Sequence, residues 1–291
     1  MIGLLCFFTE DSMPVAEAAG LVEERGVESL WAPEHTHIPA ARATDPPLGG
    51  ELPRQYSRLF DPFLVLTTAA AVTTRLRLGT GVALVANHHP ITLAKQIATL
   101  DQLSGGRFLF GIGAGWNQEE IENHGVEHAT RWRRALEHLA AMKAIWAGEE
   151  ASFSGEWVTF DRIWSWPKPL QRPHPPVLVG TINPTALVVR HADGWLPLSL
   201  AHPGQLAERI AVLGARATEA GRDPDSIEIT VFCLERTPPD QVAAYLEMGV
   251  SRVVLRAPVD SATRLEGFLD PYAPLLDRRI PVPAKESPCL A

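Results

Sequence analysis

Eight short apolar runs punctuate the chain, near residues 2–8, 28–32, 76–85, 107–113, 176–180, 194–198, 227–233 and 252–256. The stretches between them are longer and carry apolar residues three or four apart, the spacing of amphipathic helices. Strands separated by helices return to the same end of the sheet and so run parallel. Eight such units, with no break into halves, predict a closed (β/α)8 TIM barrel rather than an open doubly wound sheet. The 291 residues fit one barrel domain, 1–275, followed by a tail, 276–291, expected to be frayed.

The helical stretches have legible faces and stops. Trp132, Leu136, Leu139, Met142 and Ile145 recur on one side of 131–146, with Gly148 as the stop; Ile91, Ala94, Ile97, Leu100 and Leu103 recur before Gly105-Gly106. The last unit, 258–276, has the weakest helix signal. An insertion at 151–175 lies between strands four and five: "FSGEWVTF" reads as a small hairpin and "PKPLQRPHPP" as an extended, polyproline-like connection.

Charge and cysteine usage narrow the partners. A formal net charge of −8 argues against nucleic acid or an anionic membrane, while leaving room for a local basic patch. Cys6, Cys233 and Cys289 are far apart, without zinc or disulfide spacing, as suits a reducing compartment. "MIGLLCFFTEDSM" has no basic leader and reads as a first strand, and no apolar run reaches the ~20 residues of a membrane helix. The expectation is a cytoplasmic protein acting on a small molecule.

Barrel enzymes place their chemistry where strands end and the next loops begin. Those positions are Phe7 to Asp11, Glu34 to His37, Gly81 to His89, Gly113 to Asn117 and Gly180 to Asn183. "LWAPEHTH" (30–37) leaves three readings open: a His-x-His metal site, an acid–base group beside a cofactor, or polar residues starting a loop. Zinc needs three or four converging ligands. The fifth, sixth and eighth runs end in "VLVGTIN", "WLPLS" and "VLRAP", which offer no converging His or Asp, so no metal is expected.

Two glycine-rich stretches share the rim. "GIGAGWNQEE" (111–120) lacks the third glycine of a dinucleotide fingerprint. Its glycines allow either a flat ligand or a neighbouring strand to approach the backbone. In "PPVLVGTINPTAL" (175–187), Gly180 ends a strand, Asn183 is placed to cap and Pro184 to start a helix, an anion-binding arrangement that is equally an ordinary capped helix.

Taken together, "SLWAPEH" (29–35), "LRLGTGV" (76–82), "LAKQIATLDQLSGGRFLFGIGAGW" (93–116), "PKPLQRPHPPVLVG" (167–180) and "HADGWLPL" (191–198) occur in an order and spacing that resembles the luciferase-like monooxygenase superfamily. Within it, the chain is most similar to oxidoreductases dependent on the deazaflavin coenzyme F-420. The resemblance spans nearly all of 1–275 and implies a homodimeric (β/α)8 barrel. It also implies a non-proline cis peptide at Gly81-Val82, bulging behind the cofactor ring. Further implied cofactor contacts are Glu34, Leu84, Ala114, Gly115 and, for the phosphate, Gly180, Thr181, Ile182 and Asn183. His35 is implied as the acid–base or substrate-positioning group, with loop anchoring as the plainer alternative, and Phe7, His37, His88 and Trp116 as the substrate wall.

Two departures stand out. The phosphate loop of relatives is richer in glycine than Thr181-Ile182-Asn183, and Trp116 occupies a position where sugar-phosphate dehydrogenases carry an acid. The reading is a hydride-transfer enzyme using F-420. The alternatives are an FMN-dependent monooxygenase fed by a separate reductase, and a non-catalytic flavin or deazaflavin carrier.

Overall fold

The computed structural model describes residues 1–47, 49–183, 186–197 and 203–276. The strands are β1 (Ile2–Cys6), β2 (Ser29–Ala32), β3 (Arg77–Thr80), β4 (Ala83–Leu84), β5 (Phe108–Gly113), β6 (Glu150–Ser154), β7 (Thr159–Trp164), β8 (Val177–Gly180), β9 (Gly194–Leu196), β10 (Glu228–Cys233) and β11 (Arg252–Ala257). All but β6 and β7 form one parallel sheet, in the order β3-β2-β1-β11-β10-β9-β8-β5. Pairing of β3 with β5 closes that order into a ring, the eight-stranded barrel expected from the alternation.

The third barrel strand is built in two pieces. Leu78 and Gly79 of β3 face Phe108 and Leu109, and Ala83 and Leu84 of β4 face Ile112 and Gly113. Thr80, Gly81 and Val82 therefore oppose only Phe110 and Gly111, which makes a bulge of one extra residue. The Gly81-Val82 peptide within it is cis, as the resemblance implied.

The helices are α1 (Val15–Glu24), α2 (Pro62–Val72), α3 (Pro90–Ser104), α4 (Gln118–Asn123), α5 (Arg131–Ala147), α6 (Ala186–His191), α7 (Pro203–Glu219), α8 (Pro239–Glu247) and α9 (Ala262–Leu269). One apolar layer lies between them and the strands; a smaller one, with Leu5, Trp31, Leu109, Leu178, Leu196, Phe232 and Val254, fills the barrel. The face expected for α3 needs correction at Leu103, which is 62% exposed. Successive steps of three residues lag a 3.6-residue turn by about 60° each, so the four steps from Ile91 to Leu103 walk most of the way round the helix. The buried face is instead Leu93, Ala94, Ile97, Leu100, Asp101 and Ser104, and Gly105 ends the helix in the left-handed conformation, φ 67°. Of the face expected for α5, Leu139, Met142 and Ile145 are buried, whereas Trp132 and Leu136 are only half-buried and Ala135 and His138 join the inner side.

The N-terminal end of the barrel is closed by charge. Arg252, fully buried, donates to Glu28 at 2.5 and 2.7 Å, to Thr230 Oγ1 at 2.9 Å and to Glu228, and lies over the Trp31 ring. Burial alone would raise the Glu28 carboxyl, but Arg252 outweighs it and holds it below the usual carboxylate range.

The insertion contains the expected hairpin, β6 against β7, with Phe153 stacked on Phe160. The following connection is not a polyproline helix, which is all-trans: Trp166-Pro167 and Arg172-Pro173 are cis. Buried Asp101 fixes its course by accepting from Gln171 N and Nε2 at 2.8 and 2.6 Å. Among the described residues no helix is long and apolar enough to cross a membrane. The tail expected to be frayed lies, except for Leu276, outside the described residues, as do Cys289 and the helix start at Pro184.

Candidate active site

A cavity of about 530 Å³ opens at the C-terminal mouth of the barrel, within the range typical of small-molecule sites. It is lined by Glu34 and His35 after β2, Gly81, Val82 and Leu84 of the third strand, and Ala114, Gly115 and Trp116 after β5. Gly180 to Asn183 line it from the turn after β8, and Phe7 from the end of β1. The walls between these are apolar: Leu5, Pro33, Tyr56, Trp132, Leu196, Phe232 and Leu234.

His35, facing this space, is braced at both ring nitrogens. Its Nδ1 lies 2.6 Å from Glu120 Oε2, and the two side chains are 7% and 1% exposed. Trp116 Nε1 points at His35 Nε2 from 3.3 Å. An indole N–H only donates, so Nε2 must accept and the ring proton must sit on Nδ1, donated to the carboxylate. The network thus sets one neutral tautomer, whose basic nitrogen, Nε2, is held by the Trp116 indole. Tyr56 packs against the ring, centroids 5.5 Å apart.

Glu34 is a brace. Its Oε2 accepts from Leu84 N at 2.6 Å and its Oε1 from His88 Nε2 at 2.6 Å, tying the end of β2 to the strand piece beyond the bulge. Burial opposes protonation of His88, but its bond to Glu34 and the charges of Glu34 and Asp61 outweigh it and raise the imidazole above its usual range. His88 does not line the cavity, nor does His37. His37 is drawn outward, its Nδ1 to Thr36 Oγ1 and its Nε2 to Asn123 Nδ2 at 2.9 Å. Of the three histidines, His35 alone lines this cavity, so neither His37 nor His88 is placed at the substrate wall expected for it.

The glycines of "GIGAGW" are explained mostly by protein neighbours. A Cβ on Gly111 would sit 2.0 Å from the Thr80 carbonyl oxygen, and one on Gly113 would sit 2.4 Å from Val82 Cγ2. A Cβ on Gly180 would meet Val82 Cγ1 at 3.0 Å. Val82 is thus wedged between Gly113 and Gly180, and the bulge needs those glycines whether or not a ligand is present. Gly115, with φ at 78°, adopts a conformation that favours glycine.

The turn after β8 is tied down through its oxygens, which leaves its backbone N–H groups out of these bonds. Trp195 Nε1 donates to Thr181 O at 3.0 Å and Oγ1 at 3.1 Å, and Thr181 Oγ1 donates to Asn183 O at 2.8 Å. Ile182 is 45% exposed at its tip. No Lys or Arg lines the cavity among the described residues. In the same set no group of three or more His, Cys, Asp or Glu is arranged to hold a metal. Cys6 is buried, and burial pushes its thiol up to about 12, so it is no nucleophile.

The family model of luciferase-like monooxygenases matches residues 9–264. The chain belongs to that family. An uncharacterized protein of Mycobacterium tuberculosis is 41% identical over 279 residues, covering 93% of this chain and 96% of that one. A phthiodiolone/phenolphthiodiolone dimycocerosates ketoreductase of the same species is 29% identical over 226 residues, 74% of this chain and 59% of that one. Among solved structures, the monooxygenase RslO1 from Streptomyces bottropensis superposes with a TM-score of 0.74 at 21% identity, covering 95% of this chain and 100% of that one. An F420-dependent secondary alcohol dehydrogenase in complex with an F420-acetone adduct gives 0.74 at 18%, covering 97% and 99%. These likenesses show the luciferase-like fold.

In this luciferase-like barrel the decisive partner of His35, Glu120, is invisible to sequence reasoning. "NQEE" has the Asn-x-x-Glu spacing of a helix start, and Asn117 Oδ1 does accept from Glu120 N. The Glu120 carboxylate, however, leaves the helix to bind His35 and the Thr36 amide. Its neighbour Glu119 accepts from Ala43 N, Thr44 N and Thr44 Oγ1, which hold its carboxyl down to about 2. Two successive acids of α4 thus pin the long loop after β2. Tyr56, Trp132 and Phe232 were also unsignalled, as aromatic residues that read equally well as core.

Proposed function

We propose that this luciferase-like oxidoreductase uses coenzyme F-420, passing a hydride between the deazaflavin and a small organic substrate of the carbonyl or enone class. The observation that carries the reading is the His35–Glu120 pair, a base of set tautomer in an apolar, sheltered cavity. Carbonyl–alcohol interconversion by hydride transfer needs one proton delivered or removed at oxygen, which is work for a neutral imidazole. A carrier protein has no use for such a pair.

The cavity suits a flat ring: glycine-bearing strand ends and Val82 line it together with the aromatic side chains of Phe7, Tyr56, Trp116, Trp132 and Phe232. Gly81, Val82, Ala114 and Gly115 would hold the ring, and the turn Gly180 to Asn183 its phosphate. When bound, the deazaflavin supplies a hydride-carrying carbon and little oxygen chemistry. His35 would then move the proton, Glu120 would stabilise the imidazolium, and Trp116 with Tyr56 would exclude water. The ketoreductase name of the 29%-identical relative supports carbonyl reduction over oxygenation.

The reading includes a homodimer. Leu64 of α2 is 70% exposed and Leu103 of α3 is 62% exposed, with Val72 also open, apolar side chains on adjacent helices that a second copy would cover. Sedimentation should give twice the chain mass, and a monomer at micromolar concentration would contradict it.

The test of function is turnover of a panel of ketones, aldehydes and enones with reduced F-420, following the coenzyme's absorbance. His35→Ala should bind F-420 as wild type does and turn over ~100-fold more slowly. An unchanged rate would make His35 a scaffold residue, and tight coenzyme binding with no turnover across the panel would favour the carrier.

A further inference from the structure

A second cavity, about 580 Å³, adjoins the first across Phe7 and Leu234, which line both. Its other walls are the loop after β1, the turn Arg54–Arg58, the end of β11 and the start of α9. Four arginines face it, and three are committed: Arg54 to Asp11 at 3.4 Å, Arg58 to Glu10, and Arg264 to Asp260.

Arg256 is different. It is half-buried, and its guanidinium lies over the Phe7 ring, 4.7 Å from the centroid. Among the described residues it makes no hydrogen bond and no ion pair. A guanidinium presents five N–H donors in a planar fork shaped for carboxylate or phosphate. Stacking on an aromatic face orients the fork without using those donors. The amide of Gln55, in the same cavity, likewise makes no hydrogen bond among the described residues. This cation is linked to the candidate base by an aromatic ladder: His35 to Tyr56 at 5.5 Å, Tyr56 to Phe7 at 5.2 Å, and Phe7 to Arg256 at 4.7 Å.

We propose that Arg256 anchors an anionic group, carboxylate or phosphate, at the far end of the substrate, so that the substrate is an organic acid whose apolar body lies along Phe7 and Tyr56 toward His35. Which end reacts rests on the oxidoreductase reading; the anion site does not. The coenzyme's phosphate is the competing source of charge. Position favours the substrate, because the turn expected to take the phosphate follows β8, whereas Arg256 ends β11, separated from it by β9 and β10.

The probes are pyrene-1-butyrate and its methyl ester, titrated by fluorescence against the full-length protein with and without saturating F-420. Wild type should prefer the acid by roughly tenfold or more, and added salt should shrink the preference. Arg256→Gln should abolish it while binding F-420 as wild type does; Arg256→Lys should keep most of it. Equal binding of acid and ester to wild type, or an unaltered preference in Arg256→Gln, would overturn the proposal. So would a loss of F-420 affinity in Arg256→Gln without change in acid binding, which would assign the cation to the coenzyme. Acid preference in a protein that does not bind F-420 would contradict the cofactor reading and leave the anion site standing.

Discussion

The carboxylate of Glu120, on the first turn of α4, lies 2.6 Å from Nδ1 of His35 at the end of β2, though 85 residues separate them in the chain. That bond, with the Trp116 indole on the other ring nitrogen, turns one histidine of a polar loop into a base of set tautomer. Nitrogen-detected NMR should find His35 protonated at Nδ1 near neutral pH. Glu120→Gln should lower kcat by about 10²-fold with little change in KM, and shift the pH profile of kcat. Equal losses in both parameters with an unmoved profile would mean that Glu120 only holds the loop.

His88 makes a pH-dependent contribution to stability. Its folded-state value is raised, so the folded protein binds this proton more tightly than the unfolded chain does, and protonation stabilises the fold. The stabilisation is fully present below the unfolded value of about 6.5 and is lost as pH rises through the higher folded one. Urea midpoints of wild type and His88→Gln should therefore differ most near pH 6 and converge toward pH 9. A gap that widens with pH would reverse the sign and refute the assignment.

How much of this was readable before the structure follows from what kind of signal each feature leaves. Strand–helix alternation is a local pattern repeated eight times, so the barrel was legible. The bulge was legible through the ordered set of motifs around "LGTGV", which the resemblance interprets. His37 and His88 were misplaced because three loop histidines look alike in sequence, and only the partners Glu120, Asn123 and Glu34 decide which way each points. Glu120 was concealed by a helix-start pattern that it also satisfies. Arg256 sat in plain view in "VLRAP", but an unpaired cation is recognisable only once its neighbours are known.

Val82 is wedged between Gly113 and Gly180, so added bulk at Gly113 must displace it. Gly113→Ala should destabilise by about 1–3 kcal/mol and weaken coenzyme binding. Adding Val82→Ala should restore much of the stability, a coupling that a double-mutant cycle in urea will measure. Strict additivity would show that the two side chains do not compete for the same space.

The buried cluster under the barrel supports the fold at a distance from the chemistry. Arg252→Met leaves Glu28 buried without its main partner and should cost about 3–5 kcal/mol in urea unfolding. F-420 affinity at low temperature should be unchanged, since Arg252 does not line the mouth cavity. Loss of affinity in a variant that remains folded would show that the two ends of the barrel are coupled.

The most direct trial is an equilibrium titration of the purified protein with F-420 and, separately, FMN, read by cofactor fluorescence. Saturable binding of F-420, tighter than that of FMN by ~10-fold or more and competed by a carbonyl substrate analogue, is the predicted result. Tight FMN binding with no response to F-420 would contradict it.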